Sequence, residues 1–190
     1  MITEVEKELG SIQGWFRHVG FPYSPESVAL PKELTPVEQF IRERANRDLP
    51  RQQFEKDFEE KYRSIIYRGH WPEITGVLGF WGGVVREIEY SGPEKSRVLS
   101  RLGTISGVIS DMGTNKLDLN ELLDGDKILT VYHSHPDSRP MSAEDALSYK
   151  FLVERASLLR GKGVLRRIYF PIFMPLENQS VWYVMREIPT

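Results

Sequence analysis

The pattern of apolar and polar positions predicts two helices in the first third of the chain. A helix is predicted over residues 35–48, because residues 35–38 combine a capping box with proline at the first helical position and because Pro50 follows. A second helix is predicted over residues 52–67, where large apolar side chains lie three and four positions apart. We expect the apolar stripe of this second helix to face a core.

From residue 76 onward the pattern becomes that of short strands separated by turn residues. The predicted strands cover residues 76–81, 84–90, 127–133, 165–174 and 180–188, with one or two more within residues 97–110. Gly82 and Gly83, between the first two strands, favour a tight hairpin. Further helices are predicted over residues 118–124 and 142–160. This mixture of elements predicts an α/β (α+β) fold.

Residues 1–34 lack a regular pattern, since glycines and prolines interrupt them repeatedly. Four aromatic side chains lie among these breaks: Trp15, Phe16, Phe21 and Tyr23. They either pack on the main domain, which we favour, or form a surface for a partner. The chain is therefore predicted to consist of a helical N-terminal extension over residues 1–50 and a main domain over residues 51–190.

Composition excludes several classes of protein. The 190 residues, 40% of them hydrophobic, can bury a substantial core, and the net charge of −2 gives no electrostatic footprint for nucleic acid. The absence of cysteine excludes disulfides, a thiolate zinc site and a cysteine-protease mechanism. No apolar run is long enough to span a bilayer and the first residues lack a signal-peptide core, so no membrane association and a cytoplasmic location are expected.

Two histidines stand at the end of the predicted strand over residues 127–133. His133 and His135 are two positions apart, and residues two apart on a strand point to the same face of the sheet. Both imidazoles would therefore approach a single point, as a zinc ion requires of its nitrogen ligands. Pro136 ends the strand. By itself, a His-x-His pair is more often two polar strand residues than a metal site.

A third candidate ligand follows after a short loop. Ser142 is predicted to be the N-cap of the helix over residues 142–160, and Asp145 lies in its first turn. Asp145 would then be close enough to the histidine strand to complete a set of three ligands, with a fourth position left for water. The alternative is that Ser142 and Asp145 form only a capping box, a role that is compatible with the chemical one.

The residues His133-Ser134-His135-Pro136, followed by Ser142 and Asp145, resemble the signature of the JAMM (MPN-plus) metallopeptidase family. The upstream residues 71–79 are similar to the block that carries the glutamate of this family. The resemblance covers roughly residues 60–188. It implies a JAB/MPN-like mixed sheet flanked by helices, a Zn²⁺ cofactor held by the two histidines and the aspartate, and catalytic roles for two further residues.

The resemblance assigns those two roles to Glu73 and Ser142. Glu73 would be the general base that takes a proton from the attacking water and returns it to the leaving amine. The Ser142 hydroxyl would donate a hydrogen bond to the oxyanion of the tetrahedral intermediate. The implied activity is that of a deubiquitinase-like isopeptidase, which cleaves amide or isopeptide bonds after the C-terminal Gly-Gly tail of a ubiquitin-like or sulfur-carrier protein. Residues 51–190 are the expected catalytic domain.

Two other functions compete with this interpretation. Domains of this fold also serve as non-catalytic protein-binding scaffolds, but such relatives usually lack part of the ligand set, which is complete here. Another metallohydrolase, such as a lactamase-like phosphodiesterase or thioesterase, would need further ligands downstream. No histidine occurs after His135, which argues against this class.

Several other residues could take part in the site or imitate it. Glu87 and Glu89, on a predicted strand, are alternatives to Glu73 as the base. His18 and His70 are interpreted as surface or packing residues. Asp137 completes a His-x-His-x-Asp string that is similar to metallo-β-lactamases, but Ser138 stands where that family has histidine.

Overall fold

The computed structural model describes residues 4–61, 74–92, 118–135 and 141–189. The helices are α1 (Glu4–His18), α2 (Thr35–Lys61), α3 (Leu119–Leu122) and α4 (Ala143–Arg160), with 3-10 helices at Lys32–Leu34 and Lys162–Arg167. The strands are β1 (Tyr23–Val28), β2 (Thr75–Trp81), β3 (Val84–Ser91), β4 (Ile128–Ser134), β5 (Ile168–Met174) and β6 (Gln179–Glu187). No helix in these four ranges is long and apolar enough to cross a membrane.

The six strands form one mixed sheet in the order β1-β6-β5-β4-β2-β3. Only the central pair, β4 and β5, is parallel, and α4 connects these two strands. The other neighbours are antiparallel. The predicted α/β fold is therefore confirmed, and the crossover from β4 to β5 places the start of α4 beside the end of β4.

Each face of the sheet is covered by a hydrophobic cluster. Successive side chains on a strand point to opposite faces, so Val131 joins the cluster on the α1 and α4 side, whereas Tyr132 joins the cluster on the α2 side. The turn between β2 and β3 has positive φ at both Gly82 (59°) and Gly83 (76°), as the predicted tight hairpin requires. The end of β4 is thus enclosed by packed elements on both faces.

The structure adds a helix and a strand that the sequence pattern did not predict in the N-terminal region. Helix α1 buries Leu9, Ile12 and Phe16 against the sheet, which outweighs the cost of about 1 kcal/mol for each glycine inside a helix. Pro25 lies in the edge strand β1, and its carbonyl accepts a hydrogen bond of 2.7 Å from the Gln13 side chain. An edge position tolerates proline because its outward side needs no ladder hydrogen bond.

The preferred interpretation of the N-terminal aromatic residues is confirmed for most of them. Phe16 and Tyr23 are buried in the cluster beside α4, and Phe21 packs against it. Trp15 contacts both phenylalanine rings and stays 41% exposed. The N-terminal segment therefore shares a sheet and a core with the rest of the chain, while the domain division at residue 50 stays a prediction.

Two predicted boundaries were wrong. Helix α2 does not stop before Pro50 but continues to Lys61, so the helix tolerates this proline although it removes a backbone hydrogen bond. Strand β5 begins at Ile168, because residues 162–167 form a 3-10 helix after the end of α4. The predictions for residues 62–67 and 97–110 lie outside the described residues.

Candidate metal centre

Three buried side chains converge where strand β4 meets helix α4. The Nε2 atom of His133 lies 3.4 Å from Oδ1 of Asp145, and Nε2 of His135 lies 3.3 Å from Oδ2 of the same carboxylate. The two Nε2 atoms are 2.8 Å apart. None of the three residues is more than 6% exposed. Within the described part of the chain, this is the one group of three metal-ligating side chains whose ligand atoms all lie within 4.8 Å of one another.

These separations fit a tetrahedral divalent cation. Ligand atoms about 2.0–2.1 Å from zinc in a tetrahedral site are separated by about 3.3–3.4 Å, and each imidazole lies at this distance from one oxygen of the Asp145 carboxylate, His133 from Oδ1 and His135 from Oδ2. The two imidazole nitrogens are closer than this, at hydrogen-bond distance, so a bound cation would push them apart by about half an ångström. Two imidazoles and one carboxylate suit several divalent metals, zinc among them. The group can therefore hold a metal ion.

Local structure explains why the three ligands meet. His133 points to the α4 face of β4, together with Val131, and His135 follows two residues later, just beyond the strand. Ser142 is the N-cap of α4, and its hydroxyl accepts a hydrogen bond of 3.1 Å from the Asp145 backbone N–H. The Asp145 carboxylate accepts a hydrogen bond of 2.8 Å from the Ser142 N–H in return. The capping box therefore fixes Asp145 in the orientation that faces the histidines.

The histidines also set the charge of this carboxylate. Burial by itself would raise the pKa of Asp145, but the charge and hydrogen bond of His133, followed by those of His135, hold it well below its usual range. Asp145 is therefore ionised, as a metal ligand must be. The carboxylate that completes the capping box is therefore also the one that could bind a metal.

Of the two residues expected to be catalytic, the structure describes Ser142 but not Glu73. The Ser142 oxygen accepts from Asp145, and no described residue takes the hydroxyl hydrogen, so a catalytic part for Ser142 stays a prediction. Glu73 lies outside the described residues, as do His70 and Asp137. His18 is exposed at the end of α1, as expected of a surface histidine.

The residue that follows Glu73 is attached firmly to the histidine strand. The N–H of Ile74 donates a hydrogen bond of 3.0 Å to the Ser134 hydroxyl, and the Ser134 N–H donates one of 2.9 Å to the Ile74 carbonyl. Ser134 is the residue between the two histidines, and both bonded residues are fully buried. The start of β2 is therefore fixed beside the ligand pair.

We expect Ser134→Ala to lower the free energy of unfolding by about 1–3 kcal/mol, because it leaves the buried Ile74 N–H without an acceptor. Urea unfolding curves would measure the change. Ser24→Ala is the matched control, since the buried Ser24 hydroxyl has no hydrogen-bond partner in the described structure. Its removal should change stability little. Equal losses in both variants would show that the contact from Ser134 to Ile74 contributes nothing specific.

The two alternative bases on β3 do not join the metal-ligating group. Glu87 forms an ion pair with Arg44 of α2, on the face of the sheet opposite His133. The suggestion that Glu87 is the general base was therefore wrong. Glu89 pairs with Val77, whose other neighbour is Val131, two residues before the first histidine. His133 pairs with Thr75 on β2, and Thr75 pairs in turn with Ser91 on β3. The β3 residue in register with His133 is therefore a serine and not a glutamate.

Tyr149 is a site residue that the sequence analysis missed. Its hydroxyl oxygen lies 3.0 Å from Nδ1 of His133, the ring nitrogen that does not face Asp145. A signal for it exists in the sequence, because Asp145 and Tyr149 are four positions apart and therefore share one face of α4. This spacing identifies Tyr149 only when it is already known which face of α4 meets the histidines.

No family model matches this chain, and neither the curated proteins nor the solved structures compared with it gave a match. The function of this chain is therefore inferred from its residues and their geometry.

Proposed function

We propose that this protein is a zinc-dependent isopeptidase that cleaves amide bonds after the C-terminal Gly-Gly tail of a ubiquitin-like or sulfur-carrier protein. The observation that carries the proposal is the convergence of His133, His135 and Asp145, whose ligand atoms all lie within 4.8 Å of one another and could hold one metal ion. The order of these residues along the chain, with Ser142 ahead of Asp145, adds the resemblance to JAMM metallopeptidases.

His133, His135 and Asp145 would hold the metal, and each has a geometry that supports this role. Zinc, when bound, supplies a Lewis acid that polarises a carbonyl group and lowers the pKa of a water molecule to about 7. Burial of all three side chains keeps bulk water from the ligand atoms, which strengthens electrostatic interactions at the site. The carboxylate of Asp145 supplies the one negative charge among the three ligands.

Proton transfer falls to Glu73 in this proposal. Its carboxylate takes a proton from the attacking water and gives it to the nitrogen of the leaving amine as the amide C–N bond breaks. The two hydrogen bonds between Ile74 and Ser134 support this assignment, because Ile74 directly follows Glu73 in the sequence and is held beside the histidine strand. The hydroxyl of Ser142, the N-cap residue of α4, donates a hydrogen bond to the oxyanion.

The proposal is tested by incubating the zinc-loaded protein with fusions of ubiquitin-like and sulfur-carrier proteins that carry a reporter after Gly-Gly. Mass spectrometry should show cleavage directly after the second glycine. A chelator should stop the reaction and added zinc should restore it, because the metal is part of the chemistry. A matched fusion ending in Ala-Ala should stay intact. Cleavage that persists in chelator, or metal binding without cleavage of any such fusion, would contradict the proposal, and the second outcome would favour a scaffold.

A further inference from the structure

Helix α4 contacts His133 at both of its ring nitrogens. Asp145 faces Nε2 at 3.4 Å, and Tyr149, one helical turn later, places its hydroxyl 3.0 Å from Nδ1. His133 and Tyr149 are both fully buried. A single helix therefore determines both the position of this imidazole and the environment of its second nitrogen.

The chemistry of imidazole gives that second contact a direction. A neutral imidazole carries one N–H and one lone pair, and a metal ligand must present the lone pair to the cation. When Nε2 of His133 faces the cation, the hydrogen must be on Nδ1. The only described side-chain oxygen at hydrogen-bond distance from Nδ1 is the Tyr149 hydroxyl, which can accept that hydrogen.

Tyr149 is held rigidly enough to select this arrangement. Its ring stacks on Phe170 of β5, with the ring centroids 4.1 Å apart and the planes inclined by 26°. Phe170 is itself fully buried. A phenol held by stacking and burial cannot turn away from His133 without disturbing the core between α4 and the sheet.

We propose that Tyr149 is a positioning residue for the metal: its hydroxyl accepts the Nδ1–H of His133 and thereby keeps Nε2 free to bind the cation. Metal-bound histidines commonly donate this N–H to a carboxylate, a backbone carbonyl or water. Here the acceptor is a phenol, which orients the ring without adding a negative charge. The inference depends on the metal-binding part of the proposed function and is independent of the substrate and of Glu73.

The test compares two variants that each remove one buried phenol oxygen. Tyr149→Phe should weaken zinc binding by about 10–100-fold, the usual loss when a histidine ligand loses its hydrogen-bond partner. Tyr132→Phe is the matched control: Tyr132 is next to His133 in sequence, is fully buried, lies on the opposite face and has a hydroxyl without a partner in the described structure. It should bind zinc like the wild type. Competition with a chromophoric chelator measures all three dissociation constants.

A second measurement keeps the inference testable if Tyr149→Phe fails to fold. Long-range proton–nitrogen NMR spectra of the zinc-loaded wild type should show His133 protonated at Nδ1. Protonation at Nε2 would overturn the proposal, as would unchanged zinc affinity in a folded Tyr149→Phe or equal losses in both variants. Those outcomes refute only the role of Tyr149, whereas a wild-type protein that binds no zinc would refute the proposed function as well.

Discussion

The Glu73→Gln variant is expected to bind zinc like the wild type and to cleave its substrate about 10²–10⁴-fold more slowly, the contribution of a well-placed general base. Glutamine has the size and shape of glutamate but does not take up a proton. The loss should appear in kcat, because the proton is transferred during the chemical step. Steady-state kinetics on a Gly-Gly fusion, with zinc content measured on the same samples, would establish it.

Glu87→Gln is the matched control for this experiment. It makes the same chemical change in a glutamate that pairs with Arg44 on the opposite face of the sheet. Its activity should stay at the wild-type level, since loss of a partly exposed ion pair affects stability slightly and leaves the site intact. Full activity in Glu73→Gln would remove Glu73 from the mechanism and leave Glu89 as the remaining glutamate of those considered.

The His135→Ala variant is expected to lose zinc almost completely. It removes one of three protein ligands, and the loss should exceed the roughly 10–100-fold cost of removing only a partner of a ligand. Zinc at 100 times its dissociation constant stabilises a folded protein by about 2.7 kcal/mol, so added zinc should raise the Tm of the wild type. The variant should show no such rise.

His18→Ala provides the control for this second experiment, because His18 is exposed at the end of α1 and does not belong to the group of three ligands. It should take up zinc and respond to it like the wild type. Elemental analysis of the purified proteins gives the metal content directly. If His135→Ala kept the zinc content of the wild type, the metal would have to be bound elsewhere in the chain.

The ligand set could be predicted from sequence because each part depends on a local rule. The two-residue period of β4 places His133 and His135 together, and the capping box fixes Asp145 in the first turn of α4. The crossover through α4, between the two parallel strands, then brings these local elements together. Local signals therefore predicted most of the candidate metal centre.

Other features depend on contacts between distant segments, and the sequence pattern did not predict them. Helix α1 forms despite its glycines because Leu9, Ile12 and Phe16 are buried in the same hydrophobic cluster as residues of α4 and the sheet. Tyr149 could not be selected among the residues of α4 without knowing that its face meets His133. Helix α2 also continues through Pro50, so a local helix-stop signal does not by itself determine where a helix ends.

The central claim is that His133, His135 and Asp145 bind one divalent cation, and anomalous diffraction from zinc-soaked crystals tests it most directly. The account predicts a single strong peak at the zinc absorption edge, about 2.0–2.2 Å from Nε2 of each histidine and from a carboxylate oxygen of Asp145. The absence of a peak between these three side chains, with zinc bound at other residues or at none, would contradict it.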